Sequence, residues 1–212
     1  MKTKSKDYRD FAPLTRTATD TGRAKLATKY RLLGMRGIIA AQKIGTLKFS
    51  RLGRSSVWGV TDLTSRATII RHLDGPKPRS GDGTILGDVT WPIGIHEALE
   101  SGRIVLVVGP ENFLAAQNTW LNSPMHSIVC MPSTEPIAAY ALPLFRGKTV
   151  ILADLNDRKT NRAYGRWEQQ LTKASAIVRR VDDEGWRFVD GRPARSLIDI
   201  ENIKYQLGNQ RR

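Results

Sequence analysis

The second half of the chain alternates short apolar runs with segments of helical spacing. The apolar runs cover residues 103–108, 126–131, 148–153 and 176–181. The run over 103–108 is nearly unbroken, which is typical of a strand buried on both faces of a parallel sheet. The segments with helical spacing cover residues 109–120, 134–142 and 159–174. Repeated alternation of strand and helix predicts an α/β fold, with a mostly parallel sheet flanked by helices on both faces.

The first half is predicted to be helical at its start and then β-rich. Residues 23–45 have helical spacing interrupted by Gly34 and Gly37, which predicts two short helices around a glycine turn. A helix-turn-helix reader of DNA is one interpretation of this segment, and an ordinary helix pair is the other. The predicted strands are 46–49, 56–61 and 67–73, followed by a long loop over 74–90 and a short helix over 96–99.

These patterns predict four regions along the 212 residues. Residues 1–22 are polar and basic without sustained periodicity, which indicates a flexible tail. Residues 23–100 form the helical and β-rich region, and residues 101–205 form the α/β domain. Residues 206–212 are a short basic C-terminal tail.

Charge changes this picture because it is concentrated at the front. The net charge is +14, and residues 1–54 contain fourteen Lys and Arg against three acidic residues, a net of +11. Such a block attracts polyanions, and each phosphate it neutralises releases counterions. A partner of DNA or RNA is therefore predicted, while a solubilising basic surface or contact with anionic lipid would satisfy the same charge.

Several classes of protein are disfavoured by composition. Cys130 is the single cysteine, which excludes an intramolecular disulfide and a multi-cysteine zinc site, and its apolar neighbours indicate a buried thiol. No apolar run is long enough to span a membrane. The polar, basic N-terminus has no apolar stretch behind it, which favours a cytoplasmic protein without a secretory signal.

Polar residues follow two of the predicted strands. Glu111 lies in the turn after residues 103–108, and Asp154 and Asp157 follow residues 148–153. Sites in open α/β sheets form at the carboxyl ends of the strands. Carboxylates gathered there would bind Mg²⁺, which prefers oxygen ligands and often bridges to phosphate. Asp154 and Asp157 are therefore the candidate metal ligands, and Glu111 joins them in the candidate catalytic set.

The chain resembles the Toprim-domain primase-like family in these two segments. Residues 103–116, RIVLVVGPENFLAA, are similar to the family's strand–Glu-Gly-x-x-Asp–helix element. Residues 144–157, LFRGKTVILADLND, are similar to its strand–Asp-x-Asp–helix element. Segments 58–62, 71–75 and 91–94 are similar to sequences upstream of that domain in bacterial and mobile-element primases. The resemblance implies a Toprim-like sheet, a role in DNA replication of a phage or mobile element, and a replicative helicase or other replication protein as partner.

The chain departs from the family's pattern at the positions that carry its chemistry. Val108 stands where the family has a general acid/base glutamate, Asn112 replaces an aspartate, and Leu155 replaces the first aspartate of the pair. Asp157 matches the pattern. Two interpretations follow: a nucleic-acid-binding protein with a degenerate active site, or an active Mg²⁺-dependent primase or nuclease in which Asp154, Asp157 and Glu111 form a rearranged cluster.

Basic side chains in the β-rich region, the loop and the helix after Asp157 are the predicted phosphate contacts. They are Lys48, Arg51, Arg54, Lys77, Arg79, Arg158, Lys159, Arg162 and Arg166. A charged face on a surface helix would give the same pattern without a ligand. A third interpretation is a scaffolding subunit whose basic front segment docks on an acidic protein.

Overall fold

The computed structural model describes most of the chain between residues 20 and 210. The described residues are 20–32, 35–52, 55–74, 84–120, 126–153, 158–181, 192, 194 and 197–210. Residues 1–19 of the tail predicted over 1–22 and the candidates Arg54, Lys77, Arg79, Asp154 and Asp157 lie outside these ranges. Within the described part, no helix is both long and apolar enough to span a membrane.

An antiparallel sheet with two helices forms the first half. Helices α1 (Asp20–Tyr30) and α2 (Arg36–Ile44) confirm the predicted helix pair. Strands β1 (Leu47–Leu52), β2 (Ser55–Thr61), β3 (Ala67–His72) and β4 (Thr84–Gly87) pair in chain order. Strand β2 is buried from Val57 to Thr61, and there the rings of Tyr30 and Trp58 meet edge to face at a centroid distance of 5.5 Å.

The prediction of a loop over 74–90 is wrong for its last part. Residues 84–87 form β4, which pairs Ile70 with Thr84 and Ala67 with Gly87. The strand has only four residues and its residues are exposed or half-buried. A strand this short and this exposed has little alternation of apolar and polar positions, so the neighbouring glycines and prolines dominated the pattern.

A four-stranded parallel sheet forms the second half, as predicted. It contains β5 (Arg103–Val108), β6 (His126–Met131), β7 (Thr149–Leu152) and β8 (Ile177–Arg180) in the order β6-β5-β7-β8. Helix α3 (Gly109–Thr119) joins β5 to β6, and α4 (Arg158–Lys173) joins β7 to β8. The chain crosses the sheet in one direction from β5 to β6 and in the other direction from β7 to β8. Right-handed crossovers therefore place α3 and α4 on opposite faces of the sheet.

The prediction of a helix over 134–142 is wrong. Residues 132–141 form bends and turns, and a short 3-10 helix follows at Leu142–Phe145. The backbone here is satisfied by other elements: Ile137 N–H donates to the side chain of Gln170 at 3.0 Å, and Ala138 N–H donates to Thr90 O at 3.0 Å. Pro136 also lacks the N–H that a continuous helix needs.

A C-terminal helix closes the core on the α3 side. Helix α5 (Leu197–Gln210) packs against α3 and buries Leu197, Ile200 and Ile203. Thr119 Oγ1 donates to the buried carboxylate of Glu201 at 3.1 Å. The sequence pattern did not predict this helix, which extends across the predicted boundary between residues 205 and 206.

Close packing of α2 on α3 depends on Gly37. Its N–H donates to Asn118 Oδ1 at 2.8 Å, and a Cβ atom at this position would lie 2.7 Å from Asn118 N and 2.8 Å from Gln117 C. These are backbone atoms of α3, which cannot move aside as a flexible side chain can. Gly37 is therefore required by contact between two helices.

Gly37→Ala should lower the free energy of unfolding by about 2 kcal/mol, because overpacking at a helix contact forces the backbone to shift. The matched control is Gly165→Ala in α4, where a Cβ atom would meet nothing within 4 Å. That change should stabilise the chain by up to about 1 kcal/mol through helix propensity. Urea unfolding of both variants checks the pair; equal effects at the two glycines would contradict the packing argument.

Candidate functional site

The carboxyl ends of β5 and β7 define the crevice where this sheet can hold a ligand. Connections from these two neighbouring strands run in opposite directions, and such a switch point is where open α/β sheets place their sites. The end of β7 is held by Ala153, whose N–H donates to Leu106 O at 3.2 Å and whose carbonyl accepts from Tyr164 Oη at 3.1 Å.

Val108 and Gly109 form the turn from β5 into α3. Val108 has an extended backbone (φ −105°, ψ 128°) and makes no side-chain cap hydrogen bond, and Gly109 has φ +78°. The valine side chain supplies neither a metal ligand nor a proton carrier at this point of the crevice. Pro110 follows in the first turn of α3, where a missing N–H costs nothing.

Glu111 lies in the first turn of α3 and forms an ion pair across the two halves of the protein. Arg71 Nε, from β3, donates to Glu111 Oε1 at 3.0 Å, and the two side chains are 10% and 22% exposed. The guanidinium also donates to Ile70 O at 3.3 Å. A metal ion at Glu111 would therefore compete with an arginine that already neutralises the carboxylate.

Other polar groups surround this pair. Burial, followed by the negative charge of Glu111, raises the pKa of Tyr30, so its hydroxyl stays protonated. The same two causes raise the pKa of the Cys130 thiol, which lies buried in β6 as predicted and is not a nucleophile at neutral pH. Burial lowers the pKa of Lys29, opposed by Asp74 and Glu111.

Asn112 has a structural role at the position where the resemblance places an aspartate. Its Nδ2 donates to Val108 O at 3.0 Å, and its Oδ1 accepts from Ile198 N at 3.4 Å. The amide thus joins the start of α3 to the start of α5. A carboxylate could accept from Ile198 but could not donate to Val108, so this position suits asparagine.

A basic rim, consisting of Lys25, Lys29 and Arg51, lies at the end of β3 that carries Arg71. Lys29 Nζ donates to His72 O at 2.7 Å and Leu73 O at 3.2 Å, and Lys25 pairs loosely with Asp74 at 3.5 Å. Arg51 is exposed in β1 opposite Ser56, whose carbonyl accepts from Leu73 N. These cations come from two elements, α1 and β1, that meet at one end of the antiparallel sheet.

The structure separates the remaining described candidates. Lys48 and Arg51 lie three residues apart on β1 and therefore on opposite faces of the sheet. Arg162 and Arg166 lie one turn apart on α4 and are exposed, and Arg166 donates to Thr134 O at 2.7 Å. The backbone of Arg158 and Lys159 is in the first turn of α4.

Metal-binding clusters are not formed by the part of the chain that the structure describes. Within it, no group of three or more His, Cys, Asp or Glu is placed to hold an ion. Of the predicted catalytic set, Glu111 alone lies among the described residues, and it is paired with Arg71. Sequence reasoning missed Arg71; an arginine inside an apolar strand was the available signal, because a buried guanidinium needs a counterion.

Comparisons with known proteins show that the structure of this chain is similar to solved structures. No protein-family model and no curated protein sequence matches the chain. The primase fragment of the bacteriophage T7 primase-helicase protein is similar with a TM-score of 0.57 and 15% identity, covering 87% of this chain and 69% of that one. A primase domain in a bacteriophage T7 lagging-strand polymerase complex is similar with a TM-score of 0.52 and 13% identity, covering 81% of each chain. The chain therefore has a primase-like fold, with an antiparallel sheet preceding a four-stranded parallel one.

Proposed function

We propose that this chain is a nucleic-acid-binding, primase-like Toprim protein in which the catalytic site has become a phosphate-binding cleft. The observation that carries the proposal is the Arg71–Glu111 pair at the carboxyl edge of β5. A metal-dependent site needs free carboxylates, but the carboxylate of Glu111 is neutralised by Arg71. Its neighbours are Val108, which has no ligand atom, and Asn112, whose side chain is hydrogen-bonded to the start of α5. An arginine and a basic rim suit a phosphate better than a metal ion.

Phosphate contacts are proposed from both sides of this cleft. The basic rim, which includes Arg51, supplies one side, and Arg162 near the start of α4 supplies the other. The sequence adds Arg54, Lys77, Arg79, Arg158 and Lys159 as further predicted contacts. The net charge of +14 supports a polyanionic partner, because condensed counterions released from each neutralised phosphate favour binding.

The proposed biological setting is DNA replication or maintenance of a phage or other mobile element, in the cytoplasm. Support comes from the primase-like fold and from the sequence resemblance at residues 103–116 and 144–157. One structural neighbour is a fragment of a primase-helicase protein, and another is bound to an RNA/DNA hybrid and dTTP. A helicase or other replication protein is accordingly the proposed partner.

Arg162→Ala should weaken binding to a single-stranded oligonucleotide and reduce the slope of log affinity against log salt by about 0.7, as expected for one lost phosphate contact. Lys173→Ala is the matched control, since Lys173 is exposed on the same helix. Eleven residues separate the two, which places them on nearly the same helix face about 16 Å apart. Fluorescence anisotropy over a range of salt concentrations measures both.

Each result has a clear meaning. Wild-type binding that does not weaken with salt, or equal slopes in the two variants, would contradict the proposed cleft. Titration with Mg²⁺ by calorimetry distinguishes the alternative of an active Mg²⁺-dependent primase or nuclease. Heat of binding that disappears in Asp157→Ala would favour that alternative, in which Asp154, Asp157 and Glu111 form the metal site.

A further inference from the structure

Trp91 forms the fixed base of an aromatic cluster outside the cleft. Its indole is 2% exposed, and Nε1 donates to Asp62 Oδ2 at 2.6 Å. His96 packs against it with a centroid distance of 5.5 Å. Asp62 is itself buried and held by Thr64, so the indole has one defined position.

Tyr140 covers Trp91 and presents an aromatic ring to solvent. The two rings stack with a centroid distance of 5.6 Å and an interplanar angle of 17°, and Tyr140 is 54% exposed. Its hydroxyl donates to Asp88, which also accepts from Thr90 N at 2.8 Å. One face and the hydroxyl of Tyr140 are thus held by the protein, although the residue contributes little to the core.

Arg66 places a positive charge beside the two rings. Its guanidinium carbon lies 4.8 Å from the Trp91 centroid and 5.2 Å from the Tyr140 centroid, and the residue is exposed. Partial burial opposes ionisation of Asp88, but hydrogen bonds from Thr90 and Tyr140, together with the charge of Arg66, hold its pKa below the ordinary value. Arg66 balances this carboxylate, so a phosphate near Tyr140 meets less repulsion.

We propose that Tyr140 and Arg66 form a stacking site for one base of single-stranded DNA or RNA. Tyr140 supplies the ring face and Arg66 supplies charge for the adjacent phosphate, a combination that proteins use to bind single strands without sequence preference. Because Trp91 and Asp88 already fix the ring, stacking a base on it orders little additional side chain. This site rests on the proposed nucleic-acid-binding function and adds a base contact to it.

The position of the site suits an oligonucleotide that also enters the cleft. Arg66 precedes β3 and Arg71 lies near its end. Five residues of extended strand separate them by about 17 Å. A single strand of a few nucleotides is therefore long enough to reach from the stacking site to the end of β3 that carries the basic rim.

Tyr140→Ala should weaken binding of a short, labelled deoxythymidine oligonucleotide about tenfold, within the range for loss of one base–aromatic stack. The same variant should bind an abasic oligonucleotide of equal length as wild type does, because that ligand has no base to stack. Tyr140→Phe keeps the ring face and should remain close to wild type on both ligands. Fluorescence anisotropy on the full chain gives these affinities, and thermal unfolding checks that each variant is folded.

A crosslinking experiment on the wild-type protein tests the same stacking site. Irradiation of the complex with an iodouracil-substituted oligonucleotide, followed by mass spectrometry, should locate a crosslink at Tyr140. The stacking site is overturned if Tyr140→Ala binds both ligands like wild type, if it weakens both equally, or if the crosslink maps elsewhere. Failure of wild type to bind either oligonucleotide would instead overturn the proposed function, and the stacking site with it.

Discussion

Arg71→Met should lower the free energy of unfolding by about 3 kcal/mol, which is the lower end of the cost of removing one partner of a buried ion pair. The Glu111 carboxylate would remain in a cleft where its side chain is only 22% exposed, with no other described cation in an ion pair with it. The lower end applies because that exposure lets water reach part of the charge. For a chain of this size the melting temperature should fall by about 9 °C.

Arg180→Met is the matched control for this change. Arg180 forms a shorter ion pair with Glu168, at 2.7 Å, but the two side chains are 44% and 43% exposed. Exposed pairs contribute at most about 1 kcal/mol, so the control should have a small effect. In the double variant Arg71→Met with Glu111→Gln, much of the lost stability should return, since no unpaired charge remains. Equal melting temperatures for Arg71→Met and Arg180→Met would refute the assignment of a buried pair.

The parallel sheet could be predicted from sequence because its signal is local. Residues 103–108 are apolar at every position after Arg103, and residues 126–131 end in four apolar positions, as strands covered on both faces require. Both segments form strands in which most of these apolar positions are buried. The helix pair before β1 was equally local, because its spacing and glycines lie within one segment. In both cases the pattern lies within one continuous segment, so the element could be predicted without knowledge of distant contacts.

Contacts between distant segments explain the errors. Residues 134–142 carry apolar side chains at helical spacing, but their backbone groups are satisfied by Gln170 and Thr90, far away in the chain. The spacing alone could not reveal those partners. Strand β4 likewise depends on pairing with β3, because its four exposed or half-buried residues have no burial pattern of their own.

The same limit applied to the site. Glu111 was correctly placed after β5, but its pairing with Arg71 joins residues 40 positions apart, one in helix α3 and the other in strand β3 of the antiparallel sheet. Asn112 was recognised as a departure from a family pattern, while its bond to Ile198 depends on α5, which the pattern did not predict. Sequence therefore located the carboxyl edge of the parallel sheet, and tertiary structure determined which charges meet there.

Asp62 illustrates a buried carboxylate whose role is structural. It is 1% exposed and lies directly after β2. Oδ2 accepts from Trp91 Nε1 at 2.6 Å and Gly94 N at 3.4 Å, and Oδ1 accepts from Thr64 N at 3.1 Å and Thr64 Oγ1 at 2.6 Å. All of these partners are donors, so both carboxylate oxygens act as acceptors.

Asp62→Ala should lower the free energy of unfolding by about 3 kcal/mol, because a buried donor that loses its charged acceptor keeps its full desolvation cost. The indole N–H of Trp91 and the N–H of Gly94 have no other described acceptor in range. Thr64 is exposed and can turn to water, so it adds less to the cost. Thermal and urea unfolding measure the loss.

Asp62→Asn tests whether the buried donors of Trp91 and Gly94 contribute more to stability than the exposed donors of Thr64. Its amide oxygen can face Trp91 and Gly94 while its NH₂ group faces Thr64, whose hydroxyl can rotate to accept. The N–H of Thr64 then loses its acceptor, and this lost bond accounts for the remaining cost. The asparagine variant should therefore lose only about 1 kcal/mol. If alanine and asparagine were equally destabilising, the charge of Asp62 rather than the buried Trp91 bond would be the main contribution. A large loss in Asp62→Ala alone would instead assign the stability to the acceptor facing Trp91, the residue on which Tyr140 stacks.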